Sequence, residues 1–318
     1  MSIARSGDLP LTYFYFPLYP FIVRVFSLPF HLSFHATAVV GVVMSNILLI
    51  ISLLGLWKLL SLDYSKNIVQ IALILLLLFP TSFYLGSFYT ESLFLAIIVW
   101  SFYFARKKKW ILMGILAGLS SATRIVGLAL IPAFFFEIYQ NYNKRFTRAS
   151  ILGLILAPVG IIVYMVYLKI VSGDFLEFFN NVGIFGEQRQ AALILLPQVF
   201  YRYIFKILPA INYNYLPVVF STYMEFVTGL LFMLLVILSF IKLRLSYAVY
   251  LFFGYLIPTF AGSFSSLPRY VLILFPGFLL AAIYISKYPK SIRITILTLL
   301  FIGLAIASML FIRGYWIA

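Results

Sequence analysis

The chain has 318 residues, of which 64% are hydrophobic and 10% charged, with a net charge of +15 and a mean hydropathy of +1.10. Because a soluble domain carries about 25% charged residues, this composition excludes an ordinary soluble protein and predicts a polytopic membrane protein. The basic residues lie mainly in short loops between apolar segments, which argues against nucleic-acid binding, and the lack of cysteine excludes disulfides and thiolate metal sites.

Ten apolar stretches predict membrane-spanning helices, since about 20 apolar residues cross a bilayer and shorter helices occur inside a bundle. The predicted spans are 36–57, 67–86, 89–105, 110–122, 124–139, 149–171, 216–241, 246–262, 269–286 and 292–312. The short pair at 110–122 and 124–139 is expected to form a hairpin of partial helices, broken near Thr123. The predicted fold class is an all-α, polytopic membrane bundle in which residues 1–318 form one domain.

Two longer stretches outside these spans are predicted to lie on the outer side of the membrane. Residues 1–35 are expected to form part of a first outer loop. Residues 172–215 mix glycine and charged residues with aromatic and aliphatic ones. This mixture predicts a long outer loop with helices that lie on the membrane surface.

The basic loops set the predicted orientation, because lysine and arginine are enriched in cytoplasmic loops. Most of the basic residues fall in loops that alternate along the chain: Lys58 and Lys66; Arg106–Lys109; Lys144, Arg145 and Arg148; Lys242 and Arg244; Lys287, Lys290 and Arg293. Most of the acids fall toward the opposite side, namely Asp8, Glu91, Asp174, Glu177, Glu187 and Glu225. The distribution predicts a mixed-charge cavity on the outer face.

Glu91 and Arg124 are charged residues in sequence that is otherwise apolar enough for a bilayer. A charge at membrane depth costs at least about 2.5–3.5 kcal/mol, so it normally faces a polar cavity or a partner. Glu91 is either a carboxylate stabilised by a helix N-terminus, or a ligand of an acceptor hydroxyl, a cation or a partner arginine. Arg124 either satisfies carbonyls at a helix break or binds a phosphate with its guanidinium fork.

Four other residues allow both a structural and a functional interpretation. Arg269 and Tyr270 begin a span, where an Arg-Tyr pair acts as a membrane-interface anchor or binds a phosphate or lipid headgroup. Asp8 precedes Leu-Pro, as turn residues do, but it is the only acid before residue 63 and could act as a base. Arg189 is either a solvated charge in the long outer loop or a residue that reaches the substrate.

Five segments occur in an order typical of a known family. They are FPLYP at 16–20, PTSFYLGSFYTESLFL at 80–95, ATRIVGL at 122–128, LPRYVLILFP at 267–276 and RGYW at 313–316. With these segments the chain resembles the glycosylphosphatidylinositol mannosyltransferase II (PIG-V) family and its prokaryotic relatives, which belong to the GT-C glycosyltransferases. The similarity runs from the first residues to the last.

The resemblance implies a multi-pass, GT-C-type glycosyltransferase that takes a hexose, mannose foremost, from a polyprenyl- or dolichyl-phosphate carrier. The acceptor would be a lipid or glycan on the extracytoplasmic face of a cell membrane or of the endoplasmic reticulum. Membrane lipids are further expected partners, and nucleic acid is not expected to bind. Arginines or a divalent cation should contact the departing phosphate. The candidate catalytic residues are Asp8 and Glu91, and the candidate substrate-binding residues are Tyr89, Arg124, Arg189, Arg269 and Tyr270.

The N-terminal segment departs from the family pattern. The family's general base is an acid in the first outer loop, typically in a Trp-Asp pair soon after the first span. The segment SIARSG at 2–7 resembles the part just downstream of that pair, so the first span and the usual acid are expected to be missing here. Three explanations stay open: a start codon further upstream, a rearranged loop with Asp8 as the base, or a non-catalytic relative.

Two functions from other classes are alternatives to an enzyme. One is a non-catalytic subunit that binds a lipid-linked sugar and supports a membrane partner. The other is a carrier or flippase for a lipid or solute. Transporters tend to show internal repeats and polar sites at the bilayer midplane, whereas this sequence has no visible repeat and its polar residues gather at one face.

Overall fold

A computed structural model describes residues 15–141, 146–180 and 194–317. Within these ranges the backbone is helical and contains no strand, which confirms the all-α prediction. The chain divides into two compact units, one formed by the described residues among 1–55 and 85–191 and the other by those among 56–84 and 192–318. The single-domain organisation stays a prediction.

The first half of the described chain contains ten α-helices. They are α1 (Leu18–Ser27), α2 (Phe34–Leu60), α3 (Lys66–Leu78), α4 (Phe83–Gly86), α5 (Glu91–Arg106), α6 (Trp110–Ser121), α7 (Leu130–Asn141), α8 (Arg148–Leu156), α9 (Val159–Ser172) and α10 (Glu177–Asn180). Short 3-10 helices at Leu28–Phe30 and Ile125–Ala129 follow α1 and precede α7. Helix α1 lies in the predicted first outer loop, which the sequence analysis did not expect to be helical.

Six further α-helices follow. They are α11 (Leu196–Arg202), α12 (Leu216–Lys242), α13 (Leu245–Thr259), α14 (Leu267–Tyr270), α15 (Phe275–Ile285) and α16 (Lys290–Ile312). Helix α11 continues into a π-helical turn at Tyr203–Ile207 and a 3-10 turn at Leu208–Ala210. The described parts of 172–215 therefore contain helical segments, as predicted.

Four helical segments of the described chain are long and apolar enough to cross a membrane: α2 (Phe34–Leu60), α8 together with α9 (Arg148–Ser172), α12 (Leu216–Lys242) and α16 (Lys290–Ile312). A fifth candidate is the bent pair Leu267–Ile273 and Phe275–Ile285. This is the architecture of a helical membrane protein. The remaining predicted spans coincide with shorter apolar helices, and the number of ten spans stays a prediction.

The predicted span 269–286 is not one straight helix. Its two halves meet at an angle of 83°. The break falls at Leu274, whose backbone leaves the helical region at φ −88° and ψ 62°. Pro276 accounts for the break, because it has no N–H to donate to the carbonyl four residues earlier, at Leu272, and its ring would clash with that carbonyl in a continuous helix.

In the first unit, α6 packs against α5, α8 and α9. Gly114 and Gly118 of α6 face α8 and α9 so closely that a Cβ on Gly114 would overlap the backbone of Gly153. A Cβ on Gly160 of α9 would likewise overlap the carbonyl oxygen of Gly118. Such backbone contact through small residues is typical of helix packing in membranes.

In the second unit, α15 packs against α3 and α12. The rings of Phe79, Phe232 and Phe278 meet edge to face between these elements, with centroids 5.6–6.4 Å apart. Edge-to-face contact is the arrangement that aromatic pairs prefer. This aromatic contact and the bent α14–α15 segment determine where the motif at 267–276 lies within this unit.

The lack of cysteine allows the predicted orientation to be tested with single-cysteine variants. We expect Lys107→Cys to react with a membrane-impermeant maleimide only from the cytoplasmic side, and Asn214→Cys only from the outer side. Both side chains are exposed, so the reagent can reach them. The cysteine-free parent chain, which should not react at all, is the control. Labelling of both variants from the same side would contradict the orientation.

Candidate functional site

The site in the first unit centres on an ion pair between Glu91 and Arg124. Arg124 Nη1 lies 2.8 Å from Glu91 Oε1 and donates a hydrogen bond to it. The Glu91 side chain is 1% exposed and that of Arg124 is 12% exposed. Among the sequence-based alternatives for Glu91, the structure shows a partner arginine.

The local sequence places both charges at helix boundaries. Glu91 is the first residue of α5, where the helix dipole favours an acid. Arg124 lies in extended backbone, at φ −158° and ψ 148°, between the end of α6 and the 3-10 helix Ile125–Ala129. The predicted break near Thr123 is therefore confirmed. Because the chain is extended at Arg124, its side chain leaves the axis of α6, and the guanidinium lies 6.0 Å from the ring centroid of Phe94.

Hydroxyl groups fix the end of α6 beside this break. Ser120 Oγ donates to the Ala117 carbonyl at 2.7 Å, and Thr123 Oγ1 donates to the Leu119 carbonyl at 2.8 Å. Ser121 Oγ bridges to the next helices: it donates to the Ala157 carbonyl at 3.0 Å and accepts from the backbone N–H of Ile161 at 3.2 Å. The backbone just before Arg124 is thus held from both sides.

Three of the five motif segments meet around the ion pair. The backbone N–H of Leu18 donates to the Ala122 carbonyl at 3.3 Å, which joins FPLYP to ATRIVGL. The Tyr19 hydroxyl lies 2.7 Å from Ser45 Oγ, and Ser45 Oγ lies 3.4 Å from the carbonyl oxygen of Tyr89. Tyr89, a predicted substrate-binding residue, is half-buried and lies two residues before Glu91 in the chain.

A second cluster of motif residues lies in the other unit. The guanidinium of Arg269 lies 5.3 Å from the ring centroid of Tyr84 and 5.2 Å from that of Tyr270, which is within cation–π range. Thr81 Oγ1 donates to the Pro268 carbonyl at 2.6 Å, and the Tyr84 hydroxyl donates to the Ile317 carbonyl at 2.9 Å. The start of the 80–95 segment, the 267–276 segment and the C-terminal end of the chain thus meet around Arg269.

The structure also reveals charged and polar pairs that the sequence analysis did not single out. Glu137 on α7 is fully buried, and its Oε1 lies 3.6 Å from Arg106 Nε. From the sequence, Arg106 is interpreted only as part of a basic loop that sets the orientation. Tyr203 donates a hydrogen bond to Glu225 at 2.7 Å. The one signal in the sequence that could have indicated these pairs is an acid inside a long apolar segment. Both Glu137 and Glu225 are such acids.

The predicted site residues fall into three groups. Glu91, Arg124 and Tyr89 come together in the first unit, whereas Arg269 and Tyr270 belong to the second. Asp8 and Arg189 lie outside the described residues. In the ranges that the structure describes, no group of three or more His, Cys, Asp or Glu residues could hold a metal ion. The divalent cation therefore stays a prediction without a defined site.

Comparison with models of known families, with curated proteins and with solved structures finds no match to this chain. The resemblance to the mannosyltransferase family therefore stays a prediction, and the functional argument rests on the geometry of the two clusters.

Proposed function

We propose that the protein is a GT-C-type membrane glycosyltransferase with ten spans. It transfers a hexose, mannose foremost, from a polyprenyl- or dolichyl-phosphate carrier to a lipid or glycan acceptor on the extracytoplasmic face. The observation that carries the proposal is the buried Glu91–Arg124 pair, at which three motif segments meet. A buried ion pair is costly to build, so its placement there supports a functional site.

In this proposal Arg124 binds the phosphate of the donor. The bond between the lipid phosphate and the sugar breaks during transfer, and the departing phosphate gains negative charge. A guanidinium with several N–H donors in one plane suits this developing charge, and it acts most strongly where water is excluded. Glu91 holds the guanidinium through the 2.8 Å hydrogen bond, so that Arg124 is oriented before the donor arrives.

The acceptor hydroxyl attacks the anomeric carbon and must lose a proton, so the reaction also needs a base. Glu91 Oε1 accepts a hydrogen bond from Arg124, which favours an orienting role for this carboxylate. Asp8 stays the candidate base in the N-terminal segment. In the second unit, Arg269 between Tyr84 and Tyr270 is the candidate site for another anionic group of the lipid-linked substrate.

The proposal is tested with purified protein in liposomes that contain polyprenyl-phosphate-mannose and lipid extract from the host. We expect the wild-type protein to transfer mannose, and Arg124→Lys to reduce transfer by about tenfold or more, because lysine keeps the charge but loses the planar fork. Arg148→Lys is the matched control: it makes the same change at an exposed position, the first residue of α8, and should keep full activity.

The outcome that counts against the proposal is a folded wild-type protein that transfers no sugar to any acceptor. If that protein still binds the lipid-linked sugar, the non-catalytic subunit becomes the better hypothesis. Movement of the lipid-linked sugar across the liposome membrane without transfer would favour a carrier instead. A loss of transfer in Arg148→Lys equal to that in Arg124→Lys would remove the specific role of Arg124.

A further inference from the structure

The segment that follows α11 has an unusual backbone. Helix α11 passes directly into a five-residue π-helical turn, Tyr203–Ile207, which begins with a buried tyrosine. Single π-helical turns are rare, and they occur frequently at functional sites. Here the Tyr203 ring faces α12 and the loop at residues 260–266, which we call the 260s loop.

The Tyr203 hydroxyl joins these two elements. It donates to Glu225 Oε2 of α12 at 2.7 Å and accepts from the backbone N–H of Phe264 at 3.2 Å. Tyr203 is 2% exposed and Glu225 is 8% exposed, so both groups lie away from water. Burial, and then the adjacent Glu225 carboxylate, raise the pKa of the Tyr203 phenol, which keeps the hydroxyl protonated as a donor.

Two residues that precede Tyr203 in the chain also hold the 260s loop. Arg202 Nη1 donates to the Gly262 carbonyl at 2.9 Å, and the backbone N–H of Ile194 donates to the Phe260 carbonyl at 3.1 Å. The rings of Tyr203 and Phe264 are 4.9 Å apart between centroids. Positions 194, 202 and 203 of the chain therefore contact the loop at three successive points.

The loop itself needs such support at Ser266, because this residue is not a glycine and has a positive φ. Gly262 has φ +87° and Ser266 has φ +62°. A residue other than glycine in this region is strained and persists only where the surroundings enforce it. The carbonyl of Ser266 in turn accepts from the backbone N–H groups of Arg269 and Tyr270, each at 3.1 Å. The conformation of the loop thus determines the position of the backbone at Arg269.

We propose that Tyr203 and Glu225 are positioning residues that form a latch: their hydrogen bond holds the 260s loop and thereby places Arg269 between Tyr84 and Tyr270. The proposal rests on the proposed function in one respect, namely that Arg269 binds an anionic group of the lipid-linked sugar. The latch itself is a property of the second unit, and it can be measured without any transfer assay.

The test combines a single cysteine in the loop with changes in the latch. Ser265→Cys introduces the only cysteine of the chain, at a half-buried position between the two positive-φ residues. We expect Tyr203→Phe to speed maleimide labelling of this cysteine by about tenfold, because the lost hydrogen bond to a charged acceptor raises the open fraction of the loop. Tyr201→Phe is the matched control, since Tyr201 is 53% exposed on the same helix.

Two variants of Glu225 separate the hydrogen bond from a general loss of packing. Glu225→Gln keeps an oxygen that accepts from the Tyr203 hydroxyl, so we expect it to label within about twofold of the parent rate. Glu225→Leu removes the acceptor and should label as fast as Tyr203→Phe. Equal labelling rates for the parent, Tyr203→Phe and Glu225→Leu would overturn the latch.

Kinetics with polyprenyl-phosphate-mannose then test the positioning of Arg269. We expect Tyr203→Phe to raise KM for the donor by about tenfold with a smaller change in kcat, and Glu225→Gln to leave both near the wild-type values. Faster labelling with an unchanged KM would overturn the positioning role. If the wild-type protein transfers no sugar, the proposed function fails, and the labelling rates alone decide whether the latch exists.

Discussion

Replacing Glu91 with leucine is expected to lower the free energy of unfolding by about 3–5 kcal/mol, because it leaves the Arg124 charge buried without its carboxylate. Arg124→Leu should have an effect of similar size, since Glu91 is only 1% exposed. The double variant Glu91→Leu/Arg124→Leu should be less destabilised than the sum of the two single variants, because both charges are then removed together.

Unfolding of the purified protein in detergent micelles, followed by intrinsic fluorescence, measures this double-mutant cycle. Asp63→Leu is the matched control, since it removes an acid from an exposed position, where a polar contact contributes no more than about 1 kcal/mol. Additive effects of Glu91→Leu and Arg124→Leu would show that the two side chains do not interact. The same variants should transfer no mannose, because the Arg124 guanidinium is either absent or no longer oriented by the Glu91 carboxylate.

Gly160→Ala is expected to lower the free energy of unfolding of the first unit by about 3 kcal/mol or more. This value lies at the upper end of the usual cost of overpacking a protein interior. The new Cβ would meet the carbonyl oxygen of Gly118 and lie 2.7 Å from the backbone nitrogen of Ala122. Backbone atoms cannot rotate away as a side chain can, so α9 must move as a whole. Because Ser121 and Ala122 lie just before Arg124, this movement should also displace the arginine and reduce transfer.

Thermal unfolding and the transfer assay measure these two effects. Gly86→Ala is the matched control, because its Cβ would lie 3.5 Å from Asn46 Oδ1, an ordinary van der Waals distance. Gly118→Ala provides a second test of the same contact, since its Cβ would lie 2.7 Å from the Leu156 carbonyl oxygen. If Gly160→Ala and Gly118→Ala were as stable as Gly86→Ala, the close helix contact would not contribute to stability.

Local features of the sequence predicted the helices well. Each of the ten apolar stretches coincides with helical structure, and the break near Thr123 is present. The bend at Leu274 was missed although Pro276 is visible in the sequence, because proline is also common in the first turn of a helix and does not by itself reveal an angle. Helix α1 was missed because its apolar residues lie in a stretch too short to be predicted as a span.

The sequence by itself determined that this is an apolar, helical membrane protein and that Glu91 and Arg124 needed partners, because hydropathy and the cost of a buried charge are properties of each stretch of chain. Only the tertiary structure decided which partners these are. Glu91 and Arg124 are 33 residues apart, Tyr203 and Glu225 are 22 apart, and Thr81 and Pro268 are 187 apart. Such pairs form where helix packing, glycine contacts and a π-helical turn bring distant backbone segments together. No local sequence pattern predicts that geometry, because the geometry depends on how all the helices of a unit pack together.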